Sequence, residues 1–186
     1  MARLHVEATT IDGIRLVTPA RHGDDRGWLS ETFNHRELEA AGIAFSFVQE
    51  NHSFSADRGT IRGLHFQVAP HAQAKLVRVT AGAILDVAVD MRTGSETYGQ
   101  HVAVRLDAQI GQQLLIPSGF AHGFCTLQDD TEVLYKISDY YAPDCERGIS
   151  VADPALAIDW PVDLNQAILS DRDRQWPSLD EYQSGD

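Results

Sequence analysis

Short runs of alternating apolar and polar residues, separated by turn residues, constrain the fold of this chain more than any other feature. The segment KLVRVTAGAILDVAVDMR contains two such runs, and the Ala81-Gly82 pair between them predicts a β-hairpin. HVAVRLDAQIGQQLLIP repeats the pattern with turns at Asp107 and Gly111, and the run in TEVLYKISDYYAP ends before Pro143. Short strands at regular spacing favour an all-β sandwich or barrel.

Helical signals are few. In NHRELEAAGI, Asn34 can cap a helix, Glu37 follows three residues later as in a capping box, and Gly42 can end the helix. The tail from Asp153 is rich in Pro and Asp, and we expect it to pack across the barrel with at most brief helical turns. A length of 186 residues, without a Gly/Ser-rich linker, predicts a single domain over residues 1–186.

Composition limits the partners that this chain can take. A formal net charge of -12 argues against nucleic acid, which proteins bind through clustered Lys and Arg, but it allows a small anionic ligand at a local cationic site. No apolar run approaches the roughly 18 residues of a membrane span, and MARLHVEATTIDG lacks the features of a signal peptide. We therefore expect a cytoplasmic protein without membrane contact, with Cys125 and Cys145 reduced and structural.

The stretch HFQVAPHAQAK, residues 65–75, looks like the start of a metal site and lies within the first of two ordered sets of spacings. The first set is Gly59, His65, Gln67, Lys75 and Gly82, and the second is Gly111, Pro117-Ser-Gly119 and His122. Together these spacings resemble the paired motifs of the cupin superfamily. The resemblance implies an all-β jelly-roll barrel with short helices at the periphery.

The residues at these motif positions argue against a metal. A metal site in such a barrel needs histidine nitrogens and a carboxylate that converge on one ion. Of that set this chain keeps His65 and His122, while Lys75 stands where a carboxylate is expected. An ammonium group has no lone pair and repels a divalent cation, so we expect no bound metal and no cofactor.

The same residues suit removal of a proton next to a ketone. That reaction needs a base near the C–H bond and a donor that stabilises the enolate oxygen. Histidine titrates near pH 6.5, which makes His65 a candidate base, with Lys75 as the enolate donor. Inversion needs an acid on the opposite face, and Tyr135 is a candidate. Taken singly, each has a simpler interpretation: a structural histidine, a solvated lysine and a core tyrosine with a satisfied hydroxyl.

Longer strings carry a more specific resemblance. RGTIRGLHFQ, QAKLVRVTAGAILDVAVDMRTGS, IPSGFAHGF, YKISDYYAP and LSDRD follow one another in an order that closely resembles the dTDP-4-dehydrorhamnose 3,5-epimerase family. The resemblance implies a metal-independent jelly-roll homodimer that inverts carbons 3 and 5 of dTDP-4-dehydro-6-deoxy-glucose on the route to dTDP-L-rhamnose. It implies His65 as the base, Asp173 as its orienting carboxylate, Tyr135 as the proton donor and Lys75 as the group at the C4 oxygen.

The resemblance also implies a set of substrate contacts. Arg62 matches a family position that binds the diphosphate, and His122 matches a second histidine at the sugar. Tyr141 matches an aromatic residue near the nucleotide. Arg172 replaces the commoner Lys, and Trp28 replaces the commoner Phe but keeps a stacking face for thymine. The remaining positions are Arg26 and Glu31, which in the family often come from the neighbouring subunit, and Gln49, Glu50, Asn51 and Glu146.

Three alternatives remain open at this point. A mono-epimerase that acts at carbon 3 or carbon 5 alone would share the motif residues. A non-catalytic binding protein for a sugar nucleotide would have no need of an acid and a base on opposite faces, and the joint presence of His65, Asp173, Lys75 and Tyr135 argues against it. A metal-dependent cupin enzyme would lose turnover when treated with a chelator.

Overall fold

Strands dominate the structure, a computed structural model that describes residues 4–184. Their bounds are β1 (Leu4–Ala8), β2 (Arg15–Pro19), β3 (Arg21–Asp24), β4 (Gly27–Ser30), β5 (Gln49–Ser55), β6 (Ile61–Gln67), β7 (Lys75–Ala81), β8 (Ala83–Asp90), β9 (His101–Asp107), β10 (Gln113–Ile116), β11 (Phe120–Thr126), β12 (Thr131–Ile137) and β13 (Glu146–Gly148). The helices are α1 (His35–Ala40), α2 (Leu179–Ser184) and two 3-10 turns, Pro143–Cys145 and Asp173–Gln175.

Two antiparallel sheets form the body of the protein. One has the strand order β1-β2-β10-β7-β12-β5 and the other β13-β6-β11-β8-β9, while β3 and β4 form a separate hairpin. A core cluster lies between the two sheets, since it joins Val77 and Val133 of the first to Ile84, Ala88 and Phe124 of the second. Two apolar inner faces packed on each other form a sandwich closed toward a barrel, as the sequence predicts.

The predicted hairpin at Ala81-Gly82 is wrong. β7 pairs with β10 and β12, whereas β8 pairs with β11 and β9, so the two strands lie in different sheets. Gly82 has a φ of +75°, and a Cβ there would lie 2.3 Å from Oγ1 of Thr131. This glycine therefore lets the chain pass from one sheet to the other in a tight corner. Alternation of apolar and polar residues predicts a strand but does not indicate which strand it pairs with.

The helix and tail predictions are confirmed. The side chain of Asn34 caps α1 by accepting hydrogen bonds from the backbone N–H groups of Arg36 and Glu37, at 3.1 and 3.3 Å, and Gly42 follows with a φ of +81°. The tail after Asp153 contains one 3-10 turn and the six-residue α2. Its apolar side chains, Leu156, Trp160, Ala167 and Leu179, join a cluster with residues of β6 and β8. This packing brings residues 168–173 to the edge of β6.

Two further expectations concern the whole chain. Cys125 and Cys145 are free thiols, as expected. Within residues 4–184, no helix has the length and apolar character that a membrane crossing requires. That residues 1–186 form one domain stays a prediction, and residues 1–3 and 185–186 lie outside the described part.

Candidate active site

A cavity of about 530 Å³ opens between the two sheets. Strands β5, β7 and β12 of one sheet, β6 and β11 of the other, and residues 168–173 of the tail line it. A second cavity of about 360 Å³ adjoins it, and His65, Lys75 and Tyr135 line both. We call them the main cavity and the side cavity. Three of the four predicted catalytic residues therefore lie where the two cavities meet, and the fourth, Asp173, lines the main cavity.

His65 and Asp173 form a hydrogen-bonded pair. Nε2 of His65 lies 2.5 Å from Oδ1 of Asp173, whose side chain is 6% exposed. Burial alone would raise the pKa of Asp173, but the hydrogen bond and positive charge of His65 and a hydrogen bond with Ser170 outweigh burial, and the pKa is lowered. The carboxylate is therefore ionised and accepts a hydrogen bond from Nε2–H of His65, which leaves the lone pair of the imidazole on Nδ1. A histidine held in this way can act as a base.

Trp176 supports this pair from the tail. Its ring meets the His65 ring edge-on, with centroids 5.9 Å apart, and the guanidinium of Arg172 lies 5.3 Å from its centroid. A Cβ at Gly148 would fall 2.2 Å from the Trp176 ring, so the ring packs directly on the backbone of β13. Sequence reasoning did not identify Trp176, because it stands in the tail three residues beyond the family string LSDRD.

Lys75 is a buried cation beside the base. Its Nζ donates a hydrogen bond to the backbone carbonyl of His65, at 3.1 Å. Burial lowers the pKa of Lys75 to about 8, while the charges of Asp86 and Glu146 oppose that shift. An ammonium held in a site poor in water interacts strongly with a developing enolate oxygen. The interpretation of Lys75 as a solvated surface charge is therefore wrong.

A second histidine–carboxylate pair lies deeper in the fold. Nε2 of His122 lies 2.7 Å from Oδ1 of Asp86, and His122 is the register partner of His65 across β6 and β11. Burial lowers the pKa of His122, against the charge of Asp86. Among the described residues, Oδ2 of Asp86 has no hydrogen-bond partner. Sequence reasoning missed Asp86, although a carboxylate inside the apolar run AILDVAV is a signal that could have indicated it.

Tyr135 lies on the sheet that faces His65. It belongs to β12 of the six-stranded sheet, while His65 belongs to β6 of the five-stranded sheet, and both side chains line the main cavity. Tyr135 also packs against the core cluster between the sheets. Its position thus fits both a core residue and a proton donor on the opposite side of a bound sugar.

Seven of the remaining predicted residues lie at the cavities. Arg62 lines the main cavity and donates to Ser55 Oγ at 3.2 Å and to the Phe54 carbonyl at 2.9 Å. Tyr141 donates its hydroxyl to Glu146 at 2.6 Å, and Arg172 forms an ion pair with the same carboxylate. His122 and Arg172 line the main cavity. The side cavity is lined by Gln49, Asn51, Tyr141 and Glu146.

The structure of one chain does not bring the last three predicted residues to these cavities. Glu50 alternates with Gln49 and Asn51 on β5, so it faces the other side of the sheet, where its carboxylate lies 2.7 Å from Nζ of Lys136. Arg26 pairs with Asp24 in the turn between β3 and β4, and Glu31 accepts a hydrogen bond from Asn34. On the same hairpin, Trp28 is 59% exposed and stacks on Arg21.

The lowered pKa of Lys75 predicts an alkaline limit to activity. We expect kcat/KM to fall as the pH rises through about 8, because the free protein then loses the proton of Lys75 and with it the positive charge at the enolate oxygen. A profile of kcat/KM between pH 6 and pH 10 measures this fall. A profile that stays flat up to pH 10, as an unperturbed lysine with a pKa of about 10.4 would give, would contradict the lowered pKa of Lys75.

A metal-dependent enzyme would need side chains that can hold a metal ion. Among residues 4–184, no three or more His, Cys, Asp or Glu side chains group closely enough to hold a metal ion. His65 and His122 are each hydrogen-bonded to a carboxylate, and Lys75 lies beside them. The described geometry therefore offers an acid–base set and an anion-stabilising cation.

Comparison with known proteins gives the family of this chain. The family described as dTDP-4-dehydrorhamnose 3,5-epimerase matches residues 8–181. A Pseudomonas aeruginosa protein of that name is 51% identical over 166 residues, which cover 89% of this chain and 90% of the relative. The crystal structure of the Bacillus anthracis protein of that name, with TDP and PPi bound, is 49% identical, covers 95% of this chain and 99% of its own, and superposes with a TM-score of 0.92.

A relative of different specificity has the same fold. A 3'-monoepimerase from Streptomyces bikiniensis, solved in complex with dTDP-quinovose, is 36% identical, covers 95% of this chain and 88% of its own, and has a TM-score of 0.88. The predicted all-β jelly roll and the predicted isomerase class are confirmed by these comparisons. The chain belongs to the dTDP-4-dehydrorhamnose 3,5-epimerase family.

Proposed function

We propose that this protein inverts carbons 3 and 5 of dTDP-4-dehydro-6-deoxy-D-glucose and releases dTDP-4-dehydro-L-rhamnose, a step in dTDP-L-rhamnose synthesis. The observation that carries the proposal is the pair formed by His65, on the five-stranded sheet, and Asp173, in the tail. This pair lies opposite Tyr135 on the six-stranded sheet, with buried Lys75 beside it. The names of the relatives support the choice of substrate.

Proton transfer follows from the arrangement of these residues. His65 removes a proton from a carbon next to the C4 ketone, and Asp173 stabilises the imidazolium that forms. The electrons of the broken C–H bond move to the C4 oxygen, where Lys75 stabilises the enolate. Tyr135 then delivers a proton from the opposite face, which inverts the carbon. Carbons 3 and 5 both flank the ketone, so one base serves both.

Substrate binding is divided between the two cavities. Arg62 and Arg172 supply positive charge for the diphosphate, which a chain of net charge -12 needs locally. His122 contacts the sugar, and Gln49, Asn51, Tyr141 and Glu146 bind along the side cavity toward the nucleoside.

The three residues that lie away from the cavities suggest a role in a dimer. We propose that Arg26 and Glu31, on and just after the β3–β4 hairpin, reach the cavity of a second copy, with Trp28 offering an aromatic face for thymine. Glu50, on the outer face of β5, would likewise act through the interface rather than inside its own cavity. We further propose a cytoplasmic homodimer that binds neither nucleic acid nor membranes. Its mass in solution would be twice 20.5 kDa.

The proposed reaction is tested by incubating the purified protein with dTDP-4-dehydro-6-deoxy-D-glucose and identifying the product by NMR. The L-configured 4-dehydro sugar is the expected product. Recovery of unchanged substrate would refute the enzyme proposal and favour a binding protein. Turnover that a chelator abolishes and a divalent metal restores would favour the metal-dependent alternative.

A second candidate is mono-epimerisation at one of the two carbons. The Streptomyces bikiniensis 3'-monoepimerase favours it, because that protein shares the fold and 36% of its sequence with this chain. The base and the acid would then act at carbon 3 or carbon 5 alone, and the product would keep one original centre. The same NMR assay separates the two candidates.

Replacement of Tyr135 by phenylalanine separates the two halves of the reaction. We expect the variant to keep measurable exchange of substrate protons with solvent while its epimerised product falls by about 100-fold, because the base acts without the opposing acid. NMR in deuterated water gives both rates. Loss of exchange to the same degree as loss of product would contradict this division of roles.

A further inference from the structure

Gln67 is a buried amide whose hydrogen bonds join two loops. It ends β6 and is 4% exposed. Its Nε2 donates to the carbonyl of His71 at 2.6 Å and to the carbonyl of Tyr140 at 3.2 Å, and its Oε1 accepts from the backbone N–H of Ala142 at 2.8 Å. One side chain therefore satisfies three backbone groups, one at His71 and two that lie about seventy residues later in the sequence.

The two segments that Gln67 connects form one wall, which we call the paired loops, residues 68–74 and 138–145. Further bonds run along it: Val68 N–H donates to the Cys145 carbonyl at 2.9 Å, and Ser138 N–H donates to the Ala74 carbonyl at 3.0 Å. The Gln73 side chain donates to the Asp139 carbonyl at 2.9 Å. Gln67 differs from these because a single buried side chain makes three of the bonds, to both loops.

The paired loops border the side cavity. Gln67, Gln73 and Tyr141 line it, with Glu146 directly after the second loop. The Tyr141 side chain is half exposed, so packing fixes it weakly, and its hydroxyl bonds to Glu146. The backbone on either side of Tyr141 is bonded to Gln67, through the Tyr140 carbonyl and the Ala142 N–H. Gln67 thus anchors the backbone that carries the Tyr141 side chain.

We propose that Gln67 is a positioning residue for substrate binding, which holds the paired loops so that Tyr141 and Glu146 meet the nucleotide half of the substrate. The inference rests on the proposed function. The hydrogen bonds of the Gln67 side chain go to loop backbone groups, and none of the three goes to His65, Lys75 or Tyr135. Gln67 therefore acts on affinity and leaves the proton-transfer steps unchanged.

Gln67→Met tests the proposal, because methionine has a similar length and no amide. We expect KM to rise at least 10-fold and the dissociation constant of dTDP, measured by calorimetry, to rise in parallel, since three hydrogen bonds to loop backbone are lost. We expect kcat to change less than about 3-fold. Amide hydrogen exchange at Ala142, whose N–H donates to Oε1 of Gln67, should become faster.

Thr131→Val is the matched control. Thr131 is 1% exposed, its hydroxyl donates to the Gln128 carbonyl at 2.8 Å, and it lines neither cavity. The substitution removes a buried hydrogen bond to loop backbone without touching the paired loops, so KM and dTDP affinity should stay as in the wild type. Equal effects of the two variants on KM, or a Gln67→Met variant with lower kcat and unchanged KM, would overturn the positioning role.

A further variant keeps the proposal testable if Gln67→Met does not fold. Gln67→Glu retains the acceptor for Ala142 N–H but sets a carboxylate against two carbonyl oxygens, so its KM should also rise at least 10-fold. A wild-type KM in this variant would overturn the inference. Failure of the proposed function has a different signature: the wild-type protein would then not turn over the dTDP sugar, while faster amide exchange at Ala142 in Gln67→Met would still report that Gln67 holds the second loop.

Discussion

Replacement of His65 by asparagine is expected to lower kcat by at least about 1,000-fold and to stop solvent exchange at carbons 3 and 5 together. Asparagine keeps a polar side chain of similar size but has no basic nitrogen. The two losses come together because a single base lies at the junction of the cavities, held 2.5 Å from Asp173. Steady-state kinetics and NMR in deuterated water measure them.

His52→Asn is the matched control. His52 also pairs with a carboxylate, that of Glu132 at 2.9 Å, but it lies on the outer face of β5 and is half exposed. Its replacement should leave kcat and exchange at wild-type values. Exchange at the wild-type rate in His65→Asn would remove His65 from the mechanism. Exchange lost at one carbon and kept at the other would mean that two bases operate.

Replacement of Lys75 by methionine is expected to lower kcat by about 100- to 1,000-fold, the usual effect of removing one donor to a developing oxyanion. We do not expect the Lys75→Met substitution to lower the stability of the folded protein. Burial lowers the pKa of Lys75 to about 8, which shows that the charged form is held at a cost in the folded state. The melting temperature of Lys75→Met should therefore equal or exceed that of the wild type.

Arg105→Met provides the comparison, since it also replaces one cation by an apolar side chain. The Arg105 guanidinium pairs with Asp107 at 2.8 Å at the end of β9, and neither residue lines a cavity. Kinetics should stay near wild type, and stability should change by no more than about 1 kcal/mol, as for a surface ion pair. If Lys75→Met kept a wild-type kcat, the enolate would need another donor.

Strand positions were predictable from sequence, but strand partners were not. Period-two alternation in the sequence located β7, β8, β9 and β12, although β8 is buried along nearly its whole length and not on one face alone. The same alternation made Ala81-Gly82 look like a hairpin, whereas the chain crosses there between two sheets. Pairing depends on contacts between residues far apart in sequence, such as Lys75 with Ile116 and Ile137, and no local pattern records them.

The site was predictable where residue chemistry and a family string coincide. The interpretation of His65, Lys75 and Tyr135 as an acid–base set rested on what each side chain can do, and the fold brings them to one cavity. Asp86 and Trp176 were missed because their contacts with His122 and His65 arise only in three dimensions. Arg26 is not placed at the cavity by a single chain, so its prediction depends on the proposed dimer.

Gln67 shows how the fold changes the meaning of a sequence feature. In HFQVAPHAQAK it stands where a metal ligand could stand, and the sequence offers no other role. In the structure its amide lies between two carbonyls and one N–H group of the paired loops. An amide suits that position because it both donates and accepts hydrogen bonds.

Solvent labelling of the wild-type protein tests the central claim most directly. The protein is incubated with dTDP-4-dehydro-6-deoxy-D-glucose in deuterated water, and deuterium at each carbon of the sugar is read by NMR. One base that serves both carbons beside the ketone predicts deuterium at C3 and C5 of the product. Deuterium at a single carbon would reduce the activity to mono-epimerisation, and its absence from both would contradict proton transfer by His65 altogether.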